Sequence, residues 1–175
     1  MKVIMVMVQT VNGKTTNGNL SGTSTFASSE DQDFFLNVRN ENNLLIMGRK
    51  TYEAAKEGMT LTADRLKIVL TSQPERFTSE EKPNQLEFSS DQPHELLRKL
   101  SERGYTQALL LGGEKTNTDF LKAGLVDEIW LTIEPRILGK GNDLLGEADL
   151  DLNLQLIQNE RLNHQGTLLL KYKVL

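Results

Sequence analysis

Four stretches of this chain are wholly or mostly apolar: residues 3–8 (VIMVMV), 43–47 (NLLIM), 66–71 (LKIVLT) and 107–111 (QALLL). A strand with one face in water alternates apolar and polar side chains. An unbroken apolar run rich in β-branched residues instead fits a strand covered on both faces. Segments of helical period separate these runs. Residues 29–42 carry Ser29 and Gln32 at capping-box spacing, acids in the first turn, and Phe34, Phe35 and Val38 turned inward. Residues 93–103 open on a proline, close at Gly104 and hold Leu96, Leu97 and Leu100 on one stripe. Shorter helices are predicted at 52–56 and at 118–123, the second ending at Gly124. Beyond Val126 the pattern changes: residues 127–134, 154–163 and 167–174 read as strands, the last two joined by a turn at 163–166. Alternating strands and helices followed by an antiparallel pair predict an α/β fold. Its central sheet is mostly parallel, with an antiparallel C-terminal hairpin and helices on both faces.

With 175 residues, 38% of them hydrophobic, the chain is expected to form one domain over 1–175 and to bury roughly 70% of its unfolded surface. The absence of cysteine removes disulfides, thiol nucleophiles and thiolate metal sites, and fits a reducing, cytoplasmic compartment. No metal site is expected. The apolar run after Lys2 is about seven residues long, too short for a secretory segment and far below the ~20 of a membrane span. A buried first strand is the better reading, and no membrane partner is expected. A net charge of −4 with scattered basic residues argues against a nucleic-acid partner, which would want clustered Lys and Arg.

In open parallel sheets, ligands bind beyond the carboxyl ends of the strands, so the strand exits matter most. The first run passes into a polar loop, residues 9–16 (QTVNGKTT). The second exits into Gly48, Arg49, Lys50 and Thr51, which offer a close backbone approach, two cations and a hydroxyl ahead of a helix. Arg can fork onto a phosphate and Thr51 can cap the helix or bind a phosphate oxygen; a solvated basic loop with Thr51 as an ordinary cap fits equally. The third exits into Thr71 and Ser72, which also suit a plain turn. The last exits into Gly112, Gly113, Glu114, Lys115 and Thr116. There, missing side chains let the backbone come close and free N–H groups face an anion, or the glycines simply make a tight turn. Three such exits together suit a cofactor with several phosphates. The G-x-G-x-x-G fingerprint after the first strand is missing, which disfavours a Rossmann dehydrogenase, and a P-loop enzyme is disfavoured too.

These residues resemble the dihydrofolate-reductase-like reductases, and most closely the C-terminal reductase domain of bifunctional riboflavin-biosynthesis deaminase-reductases (RibD-type) and its free-standing relatives. Residues 111–145 (LGGEKTNTDFLKAGLVDEIWLTIEPRILGKGNDLL) carry the likeness, with LVDE ahead of a strand, then Pro135 and a Gly139-x-Gly141 turn. Residues 28–55 (SSEDQDFFLNVRNENNLLIMGRKTYEAA) carry it without gaps. The resemblance implies a dihydrofolate-reductase-like three-layer sandwich and NADPH as hydride donor. It assigns Arg49, Lys50 and Thr51 after Gly48, with Thr71 and Ser72, to the adenosine-side phosphates. It assigns Gly112, Gly113, Glu114, Lys115 and Thr116 to the pyrophosphate, and the Val8 backbone to the nicotinamide amide. It implies a homodimer as well, with the C-terminal strands around Trp130 as the contact. The zinc deaminase half of the bifunctional enzymes is not expected within these 175 residues, because its P-C-x-x-C ligands need cysteine.

On the substrate side, Asp31 and Phe35 are four residues apart and share one helical face. A carboxylate with an aromatic ring one turn later suits the edge and face of an aminopyrimidine, the arrangement of dihydrofolate reductases proper, and makes Asp31 the catalytic candidate. An acid in a first turn also simply complements the helix dipole. Glu30 and Asp33 are expected to face solvent. The chain departs from its relatives in three places. The Trp-x-x-Pro-like segment of folate reducers is replaced by residues 17–27 (NGNLSGTSTFA), Phe26 stands where riboflavin-type reductases often carry tryptophan, and Asn12 stands where they carry aspartate. Asn12, Phe26 and Phe35 are therefore the substrate-binding candidates, and Lys14 is the basic residue nearest to a sugar phosphate. His94 and His164 read as surface residues, Trp130 as core or interface, and Asp127 and Glu128 as structural or dimer residues. The expected activity is NADPH-dependent reduction of a small pterin- or pyrimidine-type heterocycle. A 5-amino-6-ribosylaminouracil phosphate is favoured over dihydrofolate, and a non-catalytic NADP-binding module is the reading from another class.

Overall fold

The computed structural model describes residues 1–18, 22, 23 and 25–175; residues 19–21 and 24 of the 17–27 loop lie outside the described residues. The chain runs β1 (Lys2–Thr10), α1 (Ser29–Asn40), β2 (Leu44–Gly48), α2 (Arg49–Ala55), β3 (Leu66–Leu70), β4 (Leu86–Ser89) and α3 (Pro93–Glu102). It continues through β5 (Gln107–Leu110), α4 (Glu114–Lys122), β6 (Glu128–Glu134), β7 (Leu154–Arg161) and β8 (Leu168–Val174). Each unbroken apolar run is a strand. The strands form one sheet in the order β4-β3-β2-β5-β1-β6-β8-β7. All neighbours from β4 to β6 are parallel, and β8 runs antiparallel to both β6 and β7.

The apolar runs are continuous because both faces of the sheet are covered. Val3, Met5, Leu44, Ile46, Leu66, Ile68 and Leu110 pack towards Leu96 and Leu100 of α3 and Phe120 of α4. Ile4, Val6, Leu45, Met47, Val69 and Leu109 pack on the other side with Val38 of α1 and Tyr52 of α2. Each fully buried Val, Leu or Ile contributes about 1.5–3 kcal/mol relative to leaving it in water, so the central strands anchor whatever their exits carry.

Four details differ from the sequence reading. β4 pairs with β3 at Lys67↔Leu86, yet it has only four residues, alternately buried and half-buried, and gave no clear period. The first helix is capped by Ser28, which is extended (φ −71, ψ 164) and accepts the Asp31 N–H at 3.3 Å, rather than by Ser29. α2 begins at Arg49 with Gly48 as its N-cap, so Thr51 lies inside the helix and does not cap it. α4 begins at Glu114 rather than 118, because Gly113 is extended and its carbonyl already accepts the Asn117 N–H at 2.9 Å. No helix among the described residues is long and apolar enough to cross a membrane.

Candidate functional site

β5 arrives late in the chain but inserts between β1 and β2, so the strand order reverses at this point and the exits of β2, β5 and β1 become neighbours. The Gly48 N–H donates to the Gly112 carbonyl at 2.7 Å. A Cβ on Gly48 would stand 2.5 Å from Thr116 Oγ1, and one on Gly113 would stand 3.3 Å from Thr51 Oγ1. Gly112 has φ +83, and a Cβ there would meet Met7 Sδ at 3.0 Å. The glycines are therefore required by the approach of two strand exits as well as by a turn. Among the described residues, the amides of Gly113, Glu114, Lys115 and Thr116 have no acceptor, and α4 has no side-chain cap. They form the open N–H cluster of a helix start.

The cations stand nearby. Arg49 is paired with Glu53 at 2.6 Å on the exposed side of α2, and Lys50 is exposed. At the β3 exit, the Thr71 N–H donates to the Ser89 carbonyl at 2.9 Å and its hydroxyl accepts from the Gln73 N–H at 3.3 Å, so Thr71 makes the turn beside an exposed Ser72. Lys115 is ion-paired with Asp119 at 2.5 Å. Val8 sits where β1 loses a neighbour: pairing with β5 ends at Met5↔Leu110, while pairing with β6 runs on to Thr10↔Glu134. The Lys2 N–H bonds towards β5 and the Val3 carbonyl towards β6, so even-numbered residues of β1 present their backbone to the β5 side. The backbone of Val8 thus faces the space that β5 has left.

A second cluster forms where α1 meets the end of β6. Asp31 is 6% exposed, and Thr132 and Glu134 are buried beside it. Burial pushes the Asp31 carboxyl up to about 6; the Thr132 hydroxyl opposes that rise, and the Glu134 charge adds to it. Thr132 Oγ1 meets no partner at good hydrogen-bond geometry. Phe35 is half-buried on the same helix. Phe34 lies 6.3 Å from Trp130, over whose ring Lys171 Nζ stands at 4.1 Å. Phe26 is buried. Glu30 and Asp33 are exposed, as expected.

The polar loop after β1 is zipped to the loop after β6. Asn12 Oδ1 accepts from the Thr10 hydroxyl at 2.8 Å and the Leu138 N–H at 3.2 Å, and Asn12 Nδ2 donates to the Leu138 carbonyl at 2.8 Å. Lys14 is ion-paired with Asp143 at 2.7 Å. A Cβ on Gly141 would lie 2.0 Å from the Thr16 carbonyl oxygen, which accounts for the glycine in the Gly139-x-Gly141 turn. Asn117, fully buried, donates to the Leu144 carbonyl at 3.0 Å and ties this loop to α4. Sequence reasoning passed over Ser28, Asn117, Thr132 and Glu134. The available signal was a charged residue, Glu134, ending an otherwise apolar strand.

The opposite end of the sheet is different. Asp127 accepts the Val3 N–H at 2.7 Å and Glu128 is paired with Lys2 at 2.6 Å, as structural roles require. A cleft of about 720 Å³ opens there, lined by Lys2, Asp127, Glu128, Leu152 and Lys173 among others. It lies at the amino ends of β1 and β6, away from the switch point, and its acids are already engaged. His94 and His164 are exposed and separate. Among the described residues, no three His, Cys, Asp or Glu side chains converge as metal ligands.

The family model of the RibD C-terminal domain matches residues 1–168. The chain belongs to that family. YyaP of Bacillus subtilis strain 168, an uncharacterized protein, is 28% identical over 151 residues, covering 79% of this chain and 77% of YyaP. A diaminohydroxyphosphoribosylaminopyrimidine deaminase/5-amino-6-(5-phosphoribosylamino)uracil reductase of Thermotoga maritima superimposes with a TM-score of 0.77 at 19% identity, covering 99% of this chain and 56% of its own. A dihydrofolate reductase of Enterococcus faecalis, solved with NADP(H) and RAB-propyl, gives 0.69 at 19% identity, covering 99% and 96%. At these identities the likeness is one of fold. The RibD C-terminal domain described here thus has the dihydrofolate-reductase-like sandwich expected from its sequence. Its open amides and its buried carboxyls both lie at the carboxyl ends of the strands.

Proposed function

We propose that this RibD C-terminal domain is an NADPH-dependent reductase of a small pyrimidine- or pterin-type heterocycle, acting in the cytoplasm as a homodimer, with a ribosylaminouracil phosphate as the favoured substrate class. The observation that carries the reading is the junction of two strand exits, Gly48 on Gly112 and Thr116, beside the point where β1 and β5 part. The residues present fit the cofactor: the amides of Gly113 to Thr116 lack acceptors among the described residues, and side chains on Gly48 or Gly113 would fill the approach. When bound, NADPH supplies the hydride. The Gly112–Thr116 backbone would hold the pyrophosphate, and Arg49, Lys50 and Thr51, with Thr71 and Ser72, the adenosine-side phosphates. Val8 would offer its backbone to the carboxamide. Arg49 would have to leave Glu53, and an exposed pair of this kind is worth only about 0–1 kcal/mol. Asp31 and Phe35 would take the edge and face of the heterocycle. The names of the Thermotoga maritima and Enterococcus faecalis neighbours support the substrate class and the cofactor.

The experiment is a titration of the purified chain with NADPH and NADH, followed by NADPH oxidation with a ribosylaminouracil phosphate and with dihydrofolate. Replacing both Arg49 and Lys50 by Ala is expected to weaken NADPH by about tenfold or more and NADH much less, because charge-assisted contacts to the extra phosphate are lost. A chain that binds neither nucleotide ends the reading. One that binds NADPH and reduces nothing is a binding module.

A further inference from the structure

Lys67 occupies a place where the fold calls for an apolar side chain. It is the second residue of β3, and its register partners are Leu45 on β2 and Leu86 on β4, both buried. It shares a sheet face with Val69, two residues on, and Val38 of α1 packs on that side. Lys67 is 4% exposed, and its ammonium meets no acceptor among the described residues.

Two arginines reach the same spot, Arg39 from the last turn of α1 and Arg65 from the turn into β3. Burial holds the Lys67 ammonium below the usual lysine range, and the charges of Arg65 and Arg39 press it in the same direction. Asp64 opposes them, but it is exposed. Arg65 is tied along one edge: its Nε donates to the Asn42 carbonyl at 3.0 Å and its Nη2 to Asn40 Oδ1 at 3.5 Å. Arg39 Nε is buried without an acceptor, and the Thr62 hydroxyl, in the turn that Arg65 closes, is buried without a partner. Among the described residues, none of the three cations has a salt bridge. Buried polar groups are ordinarily hydrogen-bonded, and a buried cation is ordinarily matched by an anion.

The cluster is remote from the strand exits. Lys67 precedes Thr71 by about 13 Å along β3, and Arg39 follows Asp31 by about 12 Å along α1.

We propose that Arg39, Arg65 and Lys67 form a separate oxyanion site at the amino ends of β2 and β3, which takes a phosphate group, either inorganic phosphate or the phosphate of a monoester. A phosphate near neutral pH carries about two negative charges and at least three acceptor oxygens. One such group can accept from the Lys67 ammonium, Arg39 Nε and Arg65 Nη1 together, and from the Thr62 hydroxyl, whereas a carboxylate brings one charge and two oxygens. Both arginines are half-buried, so the cluster runs from an enclosed lysine out to solvent. The site does not depend on the reductase reading.

The test is a titration of the full chain with inorganic phosphate at constant ionic strength, with chloride as the reference. The side-chain nitrogen-15 signal of Lys67 is expected to move, and Tm to rise by about 3 °C or more at tenfold over the phosphate Kd. Arg49→Ala with Lys50→Ala, which removes the cations at the strand exits, is expected to leave both responses in place. Lys67→Met, which matches its apolar neighbours, is expected to weaken phosphate by about tenfold or more. A Lys67 signal that stays still, or a response kept in Lys67→Met and lost in the Arg49 and Lys50 variant, overturns the site. If Lys67→Met does not fold, Arg39→Gln takes its place, and the Lys67 signal of the unsubstituted chain still decides. Glycerol phosphate binding more tightly than inorganic phosphate assigns the site to a monoester, and the reverse order to the free ion. These readings use neither nucleotide nor heterocycle, so a chain that fails as a reductase can still keep this site.

Discussion

Asp31 is held in a place that disfavours its charge, and that has a consequence for stability. Its ordinary value is 3.8 and burial raises it to about 6 in the folded chain. The folded state therefore binds the proton more tightly than the unfolded state. The stabilisation from this group is complete below about 3.8 and is lost as pH rises through about 6, by up to about 3 kcal/mol. Asp31→Asn, which cannot ionise, is expected to be more stable than the unsubstituted chain at pH 8, by about 1–3 kcal/mol in urea melts, with the gap closing towards pH 4. A variant no more stable at pH 8 would mean that the carboxylate is solvated. Gly48 makes a second residue-scale case. Its missing side chain is what lets Thr116 Oγ1 lie where a Cβ would be 2.5 Å away. Gly48→Ala is expected to lose about 1–3 kcal/mol through this overlap, and Thr116→Ala in the same chain to recover most of it. Failure to recover would place the strain elsewhere.

Elements were legible in the sequence where one pattern dominated. The α3 stripe of Leu96, Leu97 and Leu100 is buried as read, and Gly104 follows the helix with φ +89. Ends were less legible, because they depend on what the neighbouring element supplies. Ser28 rather than Ser29 caps α1, since Ser28 alone is extended there and bonded to Glu134 across the sheet. α4 begins early because the Gly112–Gly113 turn leads straight into it. This helix links core to rim: Phe120 is fully buried, while the free amides lie one turn or more away at its start. Phe120→Ala is expected to cost about 3–5 kcal/mol in thermal or urea unfolding. It should also weaken NADPH binding more than an exposed substitution such as Lys122→Ala does. Equal effects on binding would mean that the rim holds without its helix.

At the scale of the molecule, β7 stands out. All eight of its residues are exposed, its outer edge has no partner strand among the described residues, and Leu154, Leu156 and Ile157 are 43%, 47% and 49% exposed. A long free edge with apolar side chains is ordinarily blunted by charge or proline or covered by another chain. A second copy placed by a two-fold axis would cover this edge on both copies, leaving the four-residue β4 as the edge of each sheet. Ultracentrifugation is expected to show a dimer that Leu156→Lys together with Ile157→Lys drives to monomer. A monomer at every concentration would remove this contact. The sequence by itself determined the strand runs, the two covered faces and which glycines and hydroxyls follow each strand, because periodicity and glycine placement are local properties. Only the tertiary structure decided that β5 inserts between β1 and β2, that Gly48 meets Thr116, and that Glu134 lies beside Asp31. Those contacts join residues far apart in the chain, and no local pattern encodes which strand exit or which buried carboxyl will be the neighbour.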